Sequence, residues 1–172
     1  MNIFFLDDNP QKAARMLFDK HVNKMLLESA QMLFTAVRRH GYDGGGYKSA
    51  YEKHPMTMWV GDSFAHAQWL LSHAIELAKE FELRYGHSHK TQDMLPALSM
   101  AVYHHLPEEP WRNPPRCIPD EYKIAYNSWS GDVPCHVQSY RDYYLGEKGY
   151  LFKFTNRSEP EWMKQVLEVV DG

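Results

Sequence analysis

A histidine, a lysine and a glutamate lie at helical spacing near the start of the chain. His21, Lys24 and Glu28 are three and four residues apart, which places their side chains on one face of a helix. A carboxylate beside an imidazole and an ammonium group can transfer protons and stabilise a developing charge. The same spacing also fits a solvated helix face on which Lys24 and Glu28 form an ion pair worth a few tenths of a kcal/mol. The three residues alone are consistent with either interpretation.

Aromatic and cationic residues alternate in a second segment, which runs from Tyr140 to Arg157. Arg141 and Lys148 could bind phosphate groups, and Tyr144 could stack on an unpaired base. The same aromatic residues could instead form a lid that closes the hydrophobic core. The segment therefore predicts either a nucleic-acid contact or a packing element.

The ten histidines and two cysteines form no familiar metal-binding or nucleophile motif. A zinc site needs three or four convergent ligands, usually in a His-Glu-x-x-His or Cys-x-x-Cys pattern, and neither pattern occurs. Cys117 and Cys135 are 18 residues apart, and His136 points away from its neighbour Cys135 on a helix. We therefore expect no metal and no cofactor, and we expect the histidines to be capping or solvent-facing residues.

The chain has 172 residues and a formal net charge of −3, from 19 Lys+Arg and 22 Asp+Glu. This length predicts one domain over residues 1–172. Residues 10–54 contain eight cations and four anions, whereas residues 61–110 contain three cations and seven anions. A basic first third is compatible with an anion-binding surface despite the acidic total. No apolar stretch reaches the ~20 residues that a membrane span requires, and no signal-peptide pattern opens the chain, so we expect a cytoplasmic protein.

Hydrophobic periodicity and helix-end signals predict an all-α protein with about three main helices joined by long proline- and glycine-rich loops. A long helix is expected over residues 11–40, with Asn9 as its cap and Gly41 at its end. Further helices are expected after His54, over residues 64–85 and over residues 93–105. The proline-rich stretch 107–119 predicts an extended surface loop. Shorter helices are expected over residues 121–127, 134–145 and 161–170.

Three longer patterns carry a resemblance to a known family. They are Asp19-Lys20-His21-Val22, followed by Glu28 and by Ala36-Val37-Arg38-Arg39-His40; His54-Pro55 before a short helix; and Tyr143-Tyr144-Leu145-Gly146-Glu147-Lys148 near the C-terminus. Together they resemble the phage pyrimidine-dimer DNA glycosylase/AP-lyase family of the endonuclease V type. The chain is also similar to a group of viral proteins that open with a sequence like Met-Asn-Ile-Phe.

This resemblance implies an endonuclease V-like fold and a reaction on DNA. Family members flip nucleotides out of the duplex, attack the sugar C1′ with the N-terminal amine, and cleave the strand through a Schiff base. The implied nucleophile is the amine of Met1, because Asn2 should leave Met1 in place. An α-amine is more often neutral, and therefore nucleophilic, at physiological pH than a lysine amine. The resemblance implies that Glu28 is the acid/base, with His21 and Lys24 lining the site.

The resemblance also implies the DNA contacts. They are Lys20, Arg38, Arg39, Arg141, Tyr144 and Lys148. Leu27 and Gln31 are uncharged where the family has phosphate-binding arginines on its first helix. This departure suggests that a related scaffold could serve another nucleotide chemistry.

Two alternatives to a glycosylase/lyase follow. One is a viral transferase that modifies DNA bases in the same pocket without cleaving the strand, in the host cytoplasm. The other is a non-catalytic interaction protein that retains the fold. The interaction protein predicts that Glu28 is buried in an ion pair with Lys24, away from any pocket.

Overall fold

A computed structural model describes residues 2–164, and every regular element within this range is a helix. The α-helices are α1 (Pro10–Arg15), α2 (Asp19–Arg39), α3 (Pro55–Gly61), α4 (Phe64–Tyr85), α5 (Leu95–His105) and α6 (Cys135–Lys148). Short 3-10 turns cover Gln92–Met94, Asp120–Tyr122, Tyr126–Ser128 and Gly149–Leu151. The all-α prediction is confirmed. None of the helices in this range is long and apolar enough to cross a bilayer.

The hydrophobic core is built around α2 and α4, which pack against each other. Helix α1 packs on α4, helix α3 packs on both long helices, and α5 completes the same side. Leu26, Leu33 and Leu70 are among the fully buried core residues. The start of the chain also contributes, because residues 3–6 are all buried. Burial of a leucine side chain contributes about 1.5–3 kcal/mol, so this core holds α2 rigidly in place.

The long helix predicted over residues 11–40 is wrong in one respect: it is interrupted at residues 16–18, between α1 and α2. Phe18 is extended there, with a φ of −63° and a ψ of 154°. Its backbone N donates to the Tyr144 hydroxyl at 2.9 Å. The Arg84 guanidinium donates to the carbonyl oxygens of Arg15 and Leu17, at 3.0 and 2.6 Å. These tertiary hydrogen bonds satisfy the backbone groups that the interruption frees, and α2 begins at Asp19 as a result.

The helix ends follow the local signals in the sequence. Asn9 caps α1, its Oδ1 accepting from the backbone N of Lys12 at 2.9 Å. Gly86 ends α4 in the left-handed conformation, with a φ of 75°. The helix predicted over residues 64–85 is confirmed. The terminal helix predicted over residues 161–170 is helical at 161–164, and its remainder lies outside the described residues.

Residues 107–119 form an extended segment, here called the strap, as the prolines predict. Side chains of α3, α4, α6 and the α3–α4 junction anchor it. The anchors are Ser63 Oγ to Glu109 O, Trp59 Nε1 to Arg112 O, Arg112 N to His66 Nε2, and Tyr140 Oη to Pro115 O, at 2.6 to 3.0 Å. They fix the position of the strap's last residues, which include Cys117.

His73 predicts a loss of stability in acid. It is fully buried, stacks on Trp69, and neither ring nitrogen has a hydrogen-bond partner among the described residues. Burial lowers the pKa of His73 from 6.5 to about 3. The unfolded chain therefore binds more protons between these two pH values. The contribution of neutral His73 to the free energy of unfolding is therefore complete above pH 6.5, and it is lost progressively as the pH is lowered towards 3.

We expect His73 to account for about 2 kcal/mol of the unfolding free energy lost between pH 7.5 and pH 5. Denaturant unfolding of the wild type and of His73→Phe at both pH values measures this contribution. The variant should lose less stability than the wild type. A variant of the exposed His104, His104→Gln, should lose as much as the wild type. Equal losses in His73→Phe and the wild type would contradict the prediction.

Candidate active site

A cleft of about 560 Å³ lies between α2, the start of the chain, the strap and the end of α6. It is lined by Asn2, Phe4, Lys20, His21, Lys24, Met25, Glu28, Cys117, Tyr143, Lys148, Tyr150 and Leu151. The volume is within the range of small-molecule and cofactor sites. Five of the ten residues predicted to act on or bind DNA line it: His21, Lys24, Glu28, Lys20 and Lys148.

Helix α2 supplies the carboxylate, the imidazole and two of the three lysines of the cleft. The Glu28 carboxylate is largely buried, with its side chain 16% exposed, and its Oε1 lies 3.7 Å from Lys24 Nζ. Lys24 is 64% exposed, so its ammonium extends into solvent at the edge of the cleft. The ion pair expected for an exposed helix face is therefore present, but Glu28 lies in a cleft. The pairing away from any pocket that an interaction protein predicts is not observed.

Positive charge dominates the cleft. Three lysines, Lys20, Lys24 and Lys148, surround the single carboxylate of Glu28. Lys148 Nζ lies 5.4 Å from the centroid of the Tyr143 ring, within the range of a cation–π contact. Partial neutralisation by Glu28 leaves an excess of cations, which favours an anionic ligand. The acidic total charge of the chain thus conceals a locally basic cleft.

His21 is buried on the inner side of the cleft and is neutral at physiological pH. Its ring stacks on Phe4 with centroids 4.8 Å apart, and its Nδ1 lies 2.8 Å from the Tyr144 hydroxyl. Burial, reinforced by the positive charges of Lys24 and Lys148, lowers the pKa of His21 to about 4. The ring can therefore exchange hydrogen bonds with a ligand without adding a charge.

The start of the chain forms the second wall of the cleft. Asn2 Oδ1 accepts from the backbone N of Ile3 at 2.8 Å and of Phe4 at 3.3 Å, and Asn2 Nδ2 donates to Cys117 O at 2.9 Å. Phe4 has a φ of 56°, an uncommon conformation for a residue with a side chain. Met1, the predicted nucleophile, lies outside the described residues. Its neighbour Asn2 lines the same cleft as Glu28.

Two predicted DNA contacts, Arg141 and Tyr144, are buried, and this corrects the expectation for both. Tyr144 is fully buried, and Arg141 is 8% exposed. Arg141 Nε donates to Leu6 O at 2.9 Å, and its guanidinium lies 4.8 Å from the centroid of the Trp162 ring. Both side chains belong to the face of α6 that packs on the core. Of the two interpretations of this segment, packing is correct for these residues.

Arg38 and Arg39 lie at the other end of α2 and line a separate cleft of about 360 Å³. Arg38 holds the glycine-rich loop by donating to the carbonyl oxygens of Gly44, Gly45 and Tyr47. Arg39 Nη2 lies 2.6 Å from Asp62 Oδ1. The structure therefore does not bring these arginines together with Glu28.

Seven of the twelve cleft residues are not among the predicted site residues: Asn2, Phe4, Met25, Cys117, Tyr143, Tyr150 and Leu151. The sequence contains no periodic signal that links residues so far apart. Cys117 lies on the strap, and burial raises the pKa of its thiol. Tyr150 is 81% exposed at the mouth of the cleft. Tyr143 lines the same part of the cleft and carries the cation–π contact with Lys148.

The expectation that the histidines cap helices or face solvent is wrong for five of them. His21, His66, His73, His89 and His136 are all buried. His136 Nε2, for example, lies 2.8 Å from Asp8 Oδ1. Among residues 2–164, no group of three or more His, Cys, Asp and Glu side chains is placed to hold a metal ion.

Comparison with known proteins identifies the family. A family model described as pyrimidine dimer DNA glycosylase matches residues 1–93, which is more than half of the chain. No curated protein and no solved structure matches the chain. The matched range includes the whole of α2 and the start of the chain, and therefore Glu28 and the wall next to it. The chain thus belongs to the pyrimidine dimer DNA glycosylase family.

Proposed function

We propose that this protein is a DNA glycosylase and AP lyase that acts on damaged or modified pyrimidines. The observation that carries the proposal is the cleft, in which Glu28, three lysines and the second residue of the chain lie together. A carboxylate beside an amine nucleophile is the arrangement that a Schiff-base reaction at a sugar needs. The surrounding ammonium groups provide the attraction for a phosphate backbone.

In the proposed reaction, the neutral amine of Met1 attacks C1′ of the damaged nucleotide. The bond from C1′ to the base breaks, and the base leaves with the electron pair and gains a proton. The C1′–O4′ bond then breaks, O4′ takes the proton that the attacking amine loses, and the nitrogen and C1′ form a protonated Schiff base. Glu28 stabilises this cation and accepts the C2′ proton, so that the C3′–O bond breaks and the 3′ phosphate leaves.

Lys20, Lys24 and Lys148 are the proposed phosphate contacts, and Tyr143 and Tyr150 are proposed to contact an extruded base. Each phosphate contact releases counterions from DNA, so affinity depends on salt. Replacing any one of the three lysines by glutamine should weaken binding to every DNA sequence. It should also reduce the slope of log affinity against log salt by about 0.9.

Fluorescence anisotropy with a labelled abasic duplex at several salt concentrations measures these slopes. Lys90→Gln is the matched control, because Lys90 is exposed and does not line the cleft. Its slope should equal that of the wild type. An unchanged slope in all three cleft variants would contradict the assignment of these lysines to phosphates.

Borohydride trapping on abasic DNA and on dimer-containing DNA tests the proposed reaction. The wild type should form a covalent adduct with abasic DNA, and digestion should locate the adduct on the peptide that begins with Met1. An adduct on Lys20, Lys24 or Lys148 would retain the lyase and reject Met1 as nucleophile. Absence of any adduct would reject the lyase.

Nucleoside mass spectrometry of DNA treated with the protein separates the base-modifying transferase from the glycosylase. A released free base indicates the glycosylase, whereas a nucleoside of altered mass in intact strands indicates the transferase. DNA that is neither cleaved nor altered would leave the interaction protein as the remaining explanation.

A further inference from the structure

Tyr144 and His21 form a buried pair at the edge of the cleft, and their neighbours determine where the protons lie. The Tyr144 hydroxyl oxygen is 2.9 Å from the backbone N of Phe18 and 2.8 Å from His21 Nδ1. The backbone N–H can only donate, so the hydroxyl accepts from Phe18. Tyr144 is fully buried, which keeps its own proton away from water. That proton is therefore donated to His21 Nδ1.

Because Nδ1 accepts a hydrogen bond, the position of the proton on the His21 ring is determined. A neutral imidazole has one donor and one acceptor nitrogen, so an accepting Nδ1 leaves the proton on Nε2. No hydrogen bond joins Nε2 to another residue in the described part of the chain, and His21 lines the cleft. We propose that Tyr144 is a positioning residue that holds His21 as the neutral Nε2–H tautomer, which offers one uncharged donor to an oxygen of the bound nucleotide.

This role rests on the proposed function. A neutral His21 ring suits that function better than a protonated ring. Several charged and titratable groups of the described residues surround His21 in the cleft. They are Lys20, Lys24 and Glu28 of α2, Tyr143, Tyr144 and Lys148 of α6, Tyr150 just after α6, and Cys117 of the strap. A protonated His21 would add a charge to three lysines and would disfavour a cationic sugar intermediate. A neutral Nε2–H binds an oxygen without that cost.

Burial of Tyr144 supports the same assignment. It raises the pKa of the phenol, so the hydroxyl keeps the proton that it donates. Protonation of His21 would place a hydrogen on Nδ1 opposite a hydroxyl that already accepts from Phe18. The hydroxyl proton would then lose its acceptor. A hydrogen bond donated to the neutral form of a base lowers its pKa, and Tyr144 thereby helps to keep His21 uncharged.

Nitrogen-15 NMR of the histidine rings in the intact chain tests the proposal without any assay of activity. In the wild type, the His21 resonances should show a protonated Nε2 and an unprotonated Nδ1 from pH 8 down to pH 6. In Tyr144→Phe, the pKa of His21 should rise by about one pH unit. A wild-type ring protonated on Nδ1 would overturn the proposal, even if Tyr144→Phe failed to fold.

Tyr140→Phe is the matched control on the same helix. The Tyr140 hydroxyl is also buried, donates to Pro115 O at 3.0 Å and accepts from Cys117 N at 3.2 Å. Its loss removes the same kind of hydrogen bonds without touching His21. The pKa of His21 should be unchanged in this variant. An equal rise in both variants, or a rise in neither folded variant, would overturn the role of Tyr144.

The pH profile of adduct formation links the pair to the reaction. Protonation of the Met1 amine should set a first acidic limb of the trapping rate in both proteins. In Tyr144→Phe, the second limb, which His21 sets at lower pH, should move to higher pH by the same amount as the His21 pKa. A second limb that stays in place while the NMR pKa rises would remove His21 from the reaction. Absence of trapping in the wild type would reject the lyase, and the NMR result would still decide whether Tyr144 positions His21.

Discussion

Replacing Glu28 by glutamine is expected to slow formation of the borohydride-trapped adduct by about 100-fold or more. Glutamine keeps the shape of the side chain but can neither accept a proton nor stabilise a cation through a negative charge. The Glu28 side chain is only 16% exposed, so water cannot easily replace the carboxylate. Binding of the abasic duplex should be unchanged or tighter, since the variant removes the one negative charge among three lysines. Single-turnover trapping and anisotropy measure the two quantities separately.

Glu82→Gln is the matched control for this substitution. Glu82 is an exposed carboxylate near the end of α4 and does not line the cleft. Its variant should trap DNA at the wild-type rate. A Glu28→Gln protein that folds normally and traps as fast as Glu82→Gln would remove Glu28 from the catalytic assignment.

Loss of the buried Arg84 guanidinium is expected to have the largest effect on stability, about 3–5 kcal/mol for Arg84→Met. Its side chain is fully buried and pairs with Glu80 at 2.8 Å and with Asp19 at 3.2 Å. It also donates to the carbonyl oxygens at the interruption between α1 and α2. Its removal would leave Asp19 without this cationic partner, Glu80 with Arg157 alone, and the two carbonyl oxygens without that donor. The cost of these buried, less satisfied groups dominates.

Denaturant unfolding at pH 7.5 measures the effect of Arg84→Met. Lys79→Met is the control, because Lys79 is 69% exposed and its partner Glu76 keeps a second ion pair with Arg15. That variant should cost less than about 1 kcal/mol. Similar losses in the Arg84 and Lys79 single variants would contradict the prediction.

The sequence predicts elements well where the signal is local. The cap at Asn9 and the end of α4 at Gly86 depend on residues a few positions apart, and both helix ends are as expected. The interruption at residues 16–18 depends on Arg84 and Tyr144, which are more than 60 residues away. No periodic pattern in residues 11–40 contains that information, so a continuous helix was the natural expectation.

The candidate site could likewise be predicted where the relation between residues is local, and not where it depends on distant parts of the chain. The spacing of His21, Lys24 and Glu28 was enough to place them on one face of α2, because a helix fixes that relation by itself. The burial of Tyr144 was also accessible, since Val137, Tyr140 and Tyr144 are spaced three and four residues apart on the buried face of α6. The contribution of Cys117 depends on how the strap is anchored, which no local pattern specifies.

The two sides of the cleft have different origins in the chain. Seven of its twelve lining residues fall within the matched residues 1–93, and five follow them. The residues beside the carboxylate and the residues that follow the matched range can therefore be substituted separately. Changes at Cys117, Tyr143 or Tyr150 alter what the cleft accepts without altering the helix that carries Glu28. Variants of the two segments can thus test separately which residues bind a ligand and which act on it.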